Sequence, residues 1–106
     1  MYDLKWSAAE KKLARRVFEA ALTAELAEIM ADFKARAAAV TEPHEMWPIQ
    51  EYLQRKQREI DRKYDYRYSQ LHLVFAQLIR QGRVQQAQLA GLSEEKRADI
   101  WRIASR

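Results

Sequence analysis

Residues 47–60 read Trp47-Pro48-Ile49-Gln50-Glu51-Tyr52-Leu53-Gln54-Arg55-Lys56-Gln57-Arg58-Glu59-Ile60, and this stretch decides the fold class. Pro48 suits the first turn of a helix, where its missing N–H costs nothing. Ile49, Leu53 and Ile60 then return at helical intervals among polar residues, and nothing alternates as a half-buried strand would. The same stripe continues through Tyr64, Leu71, Val74, Phe75 and Leu78, and Gly82 can supply the left-handed cap that ends it. The spacing therefore predicts one helix over 47–81, with a local distortion around Arg62 to Tyr66 where large side chains crowd. From Pro48 to Arg80 such a helix would be roughly 50 Å long. A compact domain of this size is only roughly 30–35 Å across. The stripe outruns any core the chain can build alone, and a second copy packed about a two-fold axis is its simplest cover. Trp47, Ile49, Tyr52, Leu53 and Ile60 are the interface candidates. Trp47 serves equally as a staple-like core aromatic or as an interface anchor, since Trp buries much area with a polar N–H left to pair.

Upstream, Ser7-Ala8-Ala9-Glu10 has the capping-box pattern, in which the serine hydroxyl and the glutamate each satisfy a backbone N–H. Phe18, Leu22, Leu26, Ile29, Phe33 and Val40 follow in mostly three- and four-residue steps, flanked by Leu13, Val17, Ala21 and Ala24. A first helix over 7–40 is expected. Thr41-Glu42-Pro43-His44 breaks it, because Pro43 biases Glu42 away from helix. Downstream, short helices are expected over 84–104: two turns to Ala90, a stop at Gly91, a cap at Ser93, and Ile100, Trp101 and Ile103 on the last apolar face. The expectation is a single all-α domain over 1–106, with two long helices and short C-terminal ones, forming an elongated dimer.

Composition agrees. The chain of 106 residues has two Gly, two Pro and no Cys. It is dominated by residues that lose little freedom in a helix. Lacking cysteine, it has no disulfide framework, thiol nucleophile or zinc knuckle. Lys and Arg exceed Asp and Glu by 19 − 15 = 4, spread along the chain. That favours solubility and points only weakly to an acidic partner. Met1 to Lys12 lacks the apolar core of a signal peptide, and the longest apolar runs, 37–40 and 73–76, are too short to span a bilayer. A cytoplasmic protein without membrane contact is expected.

No arrangement of residues points to catalysis. The charged run Arg55 to Lys63 reads first as a solvated face, with Glu59 set to pair with Lys63 and Asp61 with Arg58; the other reading is a docking surface for an acidic partner. Tyr64-Asp65-Tyr66-Arg67-Tyr68 interleaves rings with charge, as a base-stacking surface can. Helical spacing would scatter these rings around the axis, which favours packing residues with hydroxyls bonded at the edge of a core. His44 and His72 lack a second ligand at metal-binding spacing. His44 is expected to be exposed in the turn, and His72 to border the apolar stripe. Asp61 and Asp65 are four apart among basic neighbours, which suits ion pairing. No nucleophile–base set, phosphate loop or cofactor lysine motif is present, so neither enzyme activity nor a cofactor is expected.

The run Glu59-Ile60-Asp61-Arg62-Lys63-Tyr64-Asp65-Tyr66-Arg67-Tyr68-Ser69, with Trp47 before it and Phe75-Ala76, Gly82 and Gly91-Leu92 after it, resembles the fluorescence recovery protein family of cyanobacteria. The resemblance covers most of the chain and is weakest before Thr41. It implies an all-helical dimer without a cofactor. Such a dimer binds the light-activated orange carotenoid protein, mainly through that protein's C-terminal domain, and speeds its return to the resting form. Family members also occur in bacteria without that photoprotein. The resemblance implies dimer and partner-binding roles for Trp47, Gln50, Glu51 and Gln57, beside Leu53 and Ile60 from the apolar stripe, and a partner-binding role for Leu73, which stands where the family has a Phe. Gln50, Glu51 and Gln57 occupy positions where the family has His, Asp and Arg. Three functions follow for comparison: a regulator of orange carotenoid protein or a related domain, a regulator of a different, non-photosynthetic partner, and a basic nucleic-acid-binding dimer.

Overall fold

The structure is a computed structural model that describes residues 5–106. Residues 1–4, the start of the Met1 to Lys12 stretch read above, lie outside the described residues. Four α-helices follow one another: α1 (Ala8–Ala38), α2 (Met46–Lys63), α3 (Leu71–Arg80) and α4 (Glu94–Ala104). Short 3₁₀ turns at Pro43–Glu45 and Gln86–Leu89 join α1 to α2 and α3 to α4. There is no strand among the described residues.

Helix α1 begins on the expected capping box. The Ser7 hydroxyl accepts from the Glu10 N–H at 3.1 Å, and the Ser7 N–H donates to the Glu10 carboxylate at 3.0 Å. It ends at Ala38, two residues short of Val40. Glu42 is extended (φ −125°, ψ 144°), as a residue before proline should be. The turn is pinned by the Glu45 carboxylate, which accepts from the Thr41 and Glu42 N–H groups at 2.9 and 2.7 Å. Pro48 lies in the first turn of α2, and Gly82 (φ 72°) closes α3 in a Schellman motif, with Arg83 N–H on the Leu78 carbonyl and Gly82 N–H on that of Ile79.

The expected single helix over 47–81 is corrected: it is two helices, α2 and α3, separated by residues 64–70. The cause is the tyrosine run. In a continuous helix, residues 64 and 68 would share a face while residue 66 pointed to the opposite side. Out of the helix, the rings of Tyr64 and Tyr66 both meet Phe18 of α1 edge-on, with centroids 5.4 and 4.8 Å away. Tyr68 continues the series to Tyr66 and Trp6. Arg15 and Lys11 of α1 lie over the Tyr66 and Tyr68 rings at 3.8 and 5.3 Å. The rings are therefore packing residues, as expected, and the Tyr64 hydroxyl donates to Glu25 at 2.7 Å. The burial of these aromatic rings outweighs the few helical hydrogen bonds lost at the break.

The break lets α3 fold back, and one core results. Ala14, Val17, Phe18 and Ala21 of α1 pack with Leu71, Val74, Phe75 and Leu78 of α3 and with Leu89, Leu92 and Ile100 further on. This head uses only the first half of α1. The second half of α1 and all of α2 form a stem outside that core, and the molecule measures 55 × 24 × 24 Å with a radius of gyration of 17.0 Å. Helix α1 alone, 31 residues, is about 46 Å long. Elongation thus arises from α1 rather than from the long second helix first expected.

Ion pairing also differs from the local expectation. Glu59 meets Lys56 at 3.5 Å rather than Lys63. Lys63 reaches across to Glu25 of α1 at 2.7 Å and also donates to Gln81 at 2.9 Å. Arg83 approaches the same Glu25 at 3.2 Å and forks onto Glu28 with two bonds of 2.9 Å. Burial pushes the Glu25 carboxyl up, but the bonds from Lys63 and Tyr64 and the charge of Arg83 outweigh it and hold the group below its ordinary value. One carboxylate thereby ties the stem, the break and the end of α3 together.

Candidate functional site

The stem carries an apolar groove of about 660 Å³, open to solvent, between the end of α1 and the start of α2. Phe33, Ala37 and Val40 form the α1 wall, and Met46, Trp47, Ile49 and Leu53 the α2 wall; Gln50, Gln54 and Gln57 complete the lining. Helical spacing explains the alignment. Residues 33 and 37 are four apart on α1, with Val40 just past its end, and residues 46, 49 or 50, 53 and 57 repeat every three to four positions on α2. The turn at Thr41–Glu45 sets the two faces side by side.

The groove is exposed where a monomer would be expected to hide it. Trp47 is 59 % exposed, Met46 47 % and Leu53 36 %. The apolar strip extends along α1 through Met30 and Leu26, which are about half exposed. None of the lining side chains is ionisable, and the polar ones are neutral amides. Such a surface can bury apolar area and exchange amide hydrogen bonds, but it has no acid, base or nucleophile at hand. Among the described residues no group of three or more His, Asp or Glu is arranged to hold a metal ion, and no helix is long and apolar enough to cross a membrane.

Of the candidate residues, the structure brings Trp47, Gln50, Leu53 and Gln57 together on this groove. Glu51 is exposed on α2 outside the lining, and Ile60 is half-buried further along the helix. Leu73 lies apart from the groove, on α3 of the head, 45 % exposed on a helix whose neighbouring residues Leu71, His72, Val74, Phe75 and Ala76 are buried. Tyr52, an interface candidate from its spacing, is instead buried against α1. The α1 wall was missed as part of a site. Its signal was present in Leu26, Ile29, Phe33 and Val40, a stripe that runs on past the length of helix the head can cover.

Comparison with known proteins places these features. The family model described as "Photoprotection regulator fluorescence recovery protein" matches residues 6–104. The fluorescence recovery protein of Synechocystis sp. PCC 6803 is 37 % identical over 102 residues, which cover 96 % of this chain and 94 % of that protein. Two solved structures are similar. The Fremyella diplosiphon fluorescence recovery protein matches with a TM-score of 0.90 at 34 % identity, and the Synechocystis protein with 0.89 at 36 %. Each comparison covers 96 % of this chain and 100 % of the other.

Proposed function

The chain belongs to the fluorescence recovery protein family of photoprotection regulators, and on that footing we propose that it acts without catalysis, as a homodimer joined through the stem groove. The observation that carries this reading is the groove itself: a contiguous apolar face that includes an exposed Trp, with neutral amides among its lining. That is the anatomy of a protein interface, with an aromatic anchor in an apolar patch and polar groups around it. Light scattering should report a dimer at micromolar concentration. Trp47→Glu, which would place a charge in that interface, should yield monomers that keep the wild-type helix content. A wild-type protein that stays monomeric would count against the reading.

The partner we propose is the orange carotenoid protein or a related domain, in its light-activated conformer. Selective binding of one conformer speeds its relaxation only if the transition state is bound more tightly still. Leu73, an apolar side chain exposed on the head, is the proposed second contact. A different, non-photosynthetic partner is the second reading, and the amide lining favours it. Where the family resemblance implies His, Asp and Arg, this chain has Gln50, Glu51 and Gln57. Gln lacks the charge and the fork of Arg, and a charge-assisted hydrogen bond contributes roughly 1.5–3 kcal/mol. Weak acceleration of the red-to-orange decay of photoactivated orange carotenoid protein is therefore expected, with a gain of about tenfold or more in affinity from Gln57→Arg. Full acceleration by the wild type, with no gain from the arginine, would show that these positions do not choose the partner.

A further inference from the structure

Helix α2 has eighteen residues, and the one it buries is Tyr52, 4 % exposed. At one end the helix is fastened by the Thr41–Glu45 turn, at the other by Lys63 on Glu25. Between those ends, Tyr52 is the buried side chain that α2 sends against α1. The Arg36 guanidinium lies over its ring, 3.9 Å from the centroid. Arg36 is itself held by Asp32, its Nε donating to the carboxylate at 3.2 Å, and the charge of that same Asp32 acts on the Tyr52 hydroxyl. Arg55 and Lys56 of α2 flank the ring at 5.7 and 5.8 Å. Ring, guanidinium and carboxylate close a three-membered circuit across the two helices.

The groove uses the neighbouring faces of the same segments. Phe33 and Ala37 adjoin Asp32 and Arg36 on α1, and Leu53 adjoins Tyr52 on α2. We propose that Tyr52 is the positioning residue of the groove: held by Arg36 and Asp32, it sets the separation of α2 from α1 and so the fit of a second copy, without touching that copy. The proposal rests on the homodimer reading above. The physical reason is that a surface preformed in its bound shape loses less freedom on association. A stem without the circuit samples several separations, and only some of them accept the partner face.

The chain has no cysteine, so spin labels can be placed at will. Ala35→Cys and Arg58→Cys, both exposed and outside the groove lining, put one label on each helix. Labelled protein diluted into unlabelled protein reports the distance within one protomer by pulsed electron resonance. Sedimentation of unlabelled protein gives the dimer dissociation constant. Arg36→Lys keeps the charge and loses the planar face that stacks on Tyr52. It should broaden the distance distribution and weaken the dimer by about tenfold. Tyr52→Leu should do so more strongly, and Tyr52→Phe, which keeps the stacked ring, should stay closer to wild type. A merely structural tyrosine would be indifferent to Arg36→Lys and would move the unfolding temperature instead. An unchanged distribution in Arg36→Lys overturns the proposal, as does a broadened one with unchanged dimer affinity. Should the wild type prove monomeric, the dimer reading falls, and the distance measurement alone decides whether Tyr52 sets the groove.

Discussion

Phe75→Ala should unfold a large fraction of the protein at temperatures where the wild type is folded, through a loss of about 3–5 kcal/mol. Phe75 sits at 0 % exposure on the inner face of α3, in the core that joins α1, α3 and α4. Truncation forfeits the transfer free energy of the ring and leaves a cavity among side chains drawn from three helices, which cannot all close in together. The total stability of a small domain is about 5–15 kcal/mol, so one such cavity removes a major part of it. Leu73→Ala is the internal control. It lies two residues away on the same helix, exposed, and should change stability by about 0.5 kcal/mol or less. Chemical denaturation of the two variants measures the contrast; equal losses would mean that α3 is not packed as described.

Lys96→Met should cost a comparable amount, about 3–5 kcal/mol, because it leaves a buried carboxylate without its cation. Lys96 is 4 % exposed on α4, and its ammonium donates to Glu10 at 3.1 Å and to the Lys5 carbonyl at 2.5 Å, over the ring of Trp6. Glu10 serves two helices. Besides closing the cap of α1 it accepts from the backbone N–H of Ser93, the N-cap of α4, at 2.8 Å. Met keeps the aliphatic length of Lys, so the loss reports the charge rather than the packing. The double variant Glu10→Gln/Lys96→Met should recover part of it, since a neutral amide can still meet the two serine N–H groups.

The same pair sets an acid limit. Burial pushes the Glu10 carboxyl up, but the backbone bonds from Ser7 and Ser93 and the Lys96 ammonium outweigh it, and the group lies below its ordinary value of 4.5. A carboxyl with a lowered folded-state pKa stabilises the fold above the ordinary value, and that contribution is lost as the pH falls through the folded value. Glu25 has the same sign. Wild-type stability should therefore decline below about pH 4.5, and the gap between wild type and Lys96→Met should narrow there. His72 adds an earlier decline. Burial and, after it, the charge of Arg102 lower its pKa from the ordinary 6.5, so the fold favours the neutral ring and loses stability as the pH drops below that value. A stability profile flat from pH 7 down to about pH 3 would contradict these assignments.

Much of the fold was legible because its signals are local. Ser7 and Glu10 cap α1 three residues apart, Pro43 forces Glu42 extended, and Gly82 takes the left-handed angle that ends α3. Ser93 caps α4 by accepting from the Lys96 N–H at 3.2 Å. Each depends on backbone geometry within a few residues, which the residue types themselves dictate. The site was legible in part. Trp47, Gln50, Leu53 and Gln57 share a helix face and so could be grouped from spacing alone, whereas Tyr52 stands one residue from Leu53 and turns onto the neighbouring face, against α1.

An all-helical chain, its caps and turns, and an apolar stripe too long for its own core can all be read from local residue patterns. Those follow from periodicity and from side chains acting on their own backbone. The break of the second stripe at Tyr64 is a tertiary effect, because helical periodicity continues unbroken through Tyr64 and Leu71 and the reason for leaving it is Phe18, 46 residues upstream. So is the meeting of Glu10 with Lys96 rather than with a neighbour in its own turn, and that of Lys63 with Glu25 rather than Glu59. Such contacts join residues far apart in the chain, and which of several available partners an ion or a ring takes depends on where the core places it, not on its spacing in the sequence.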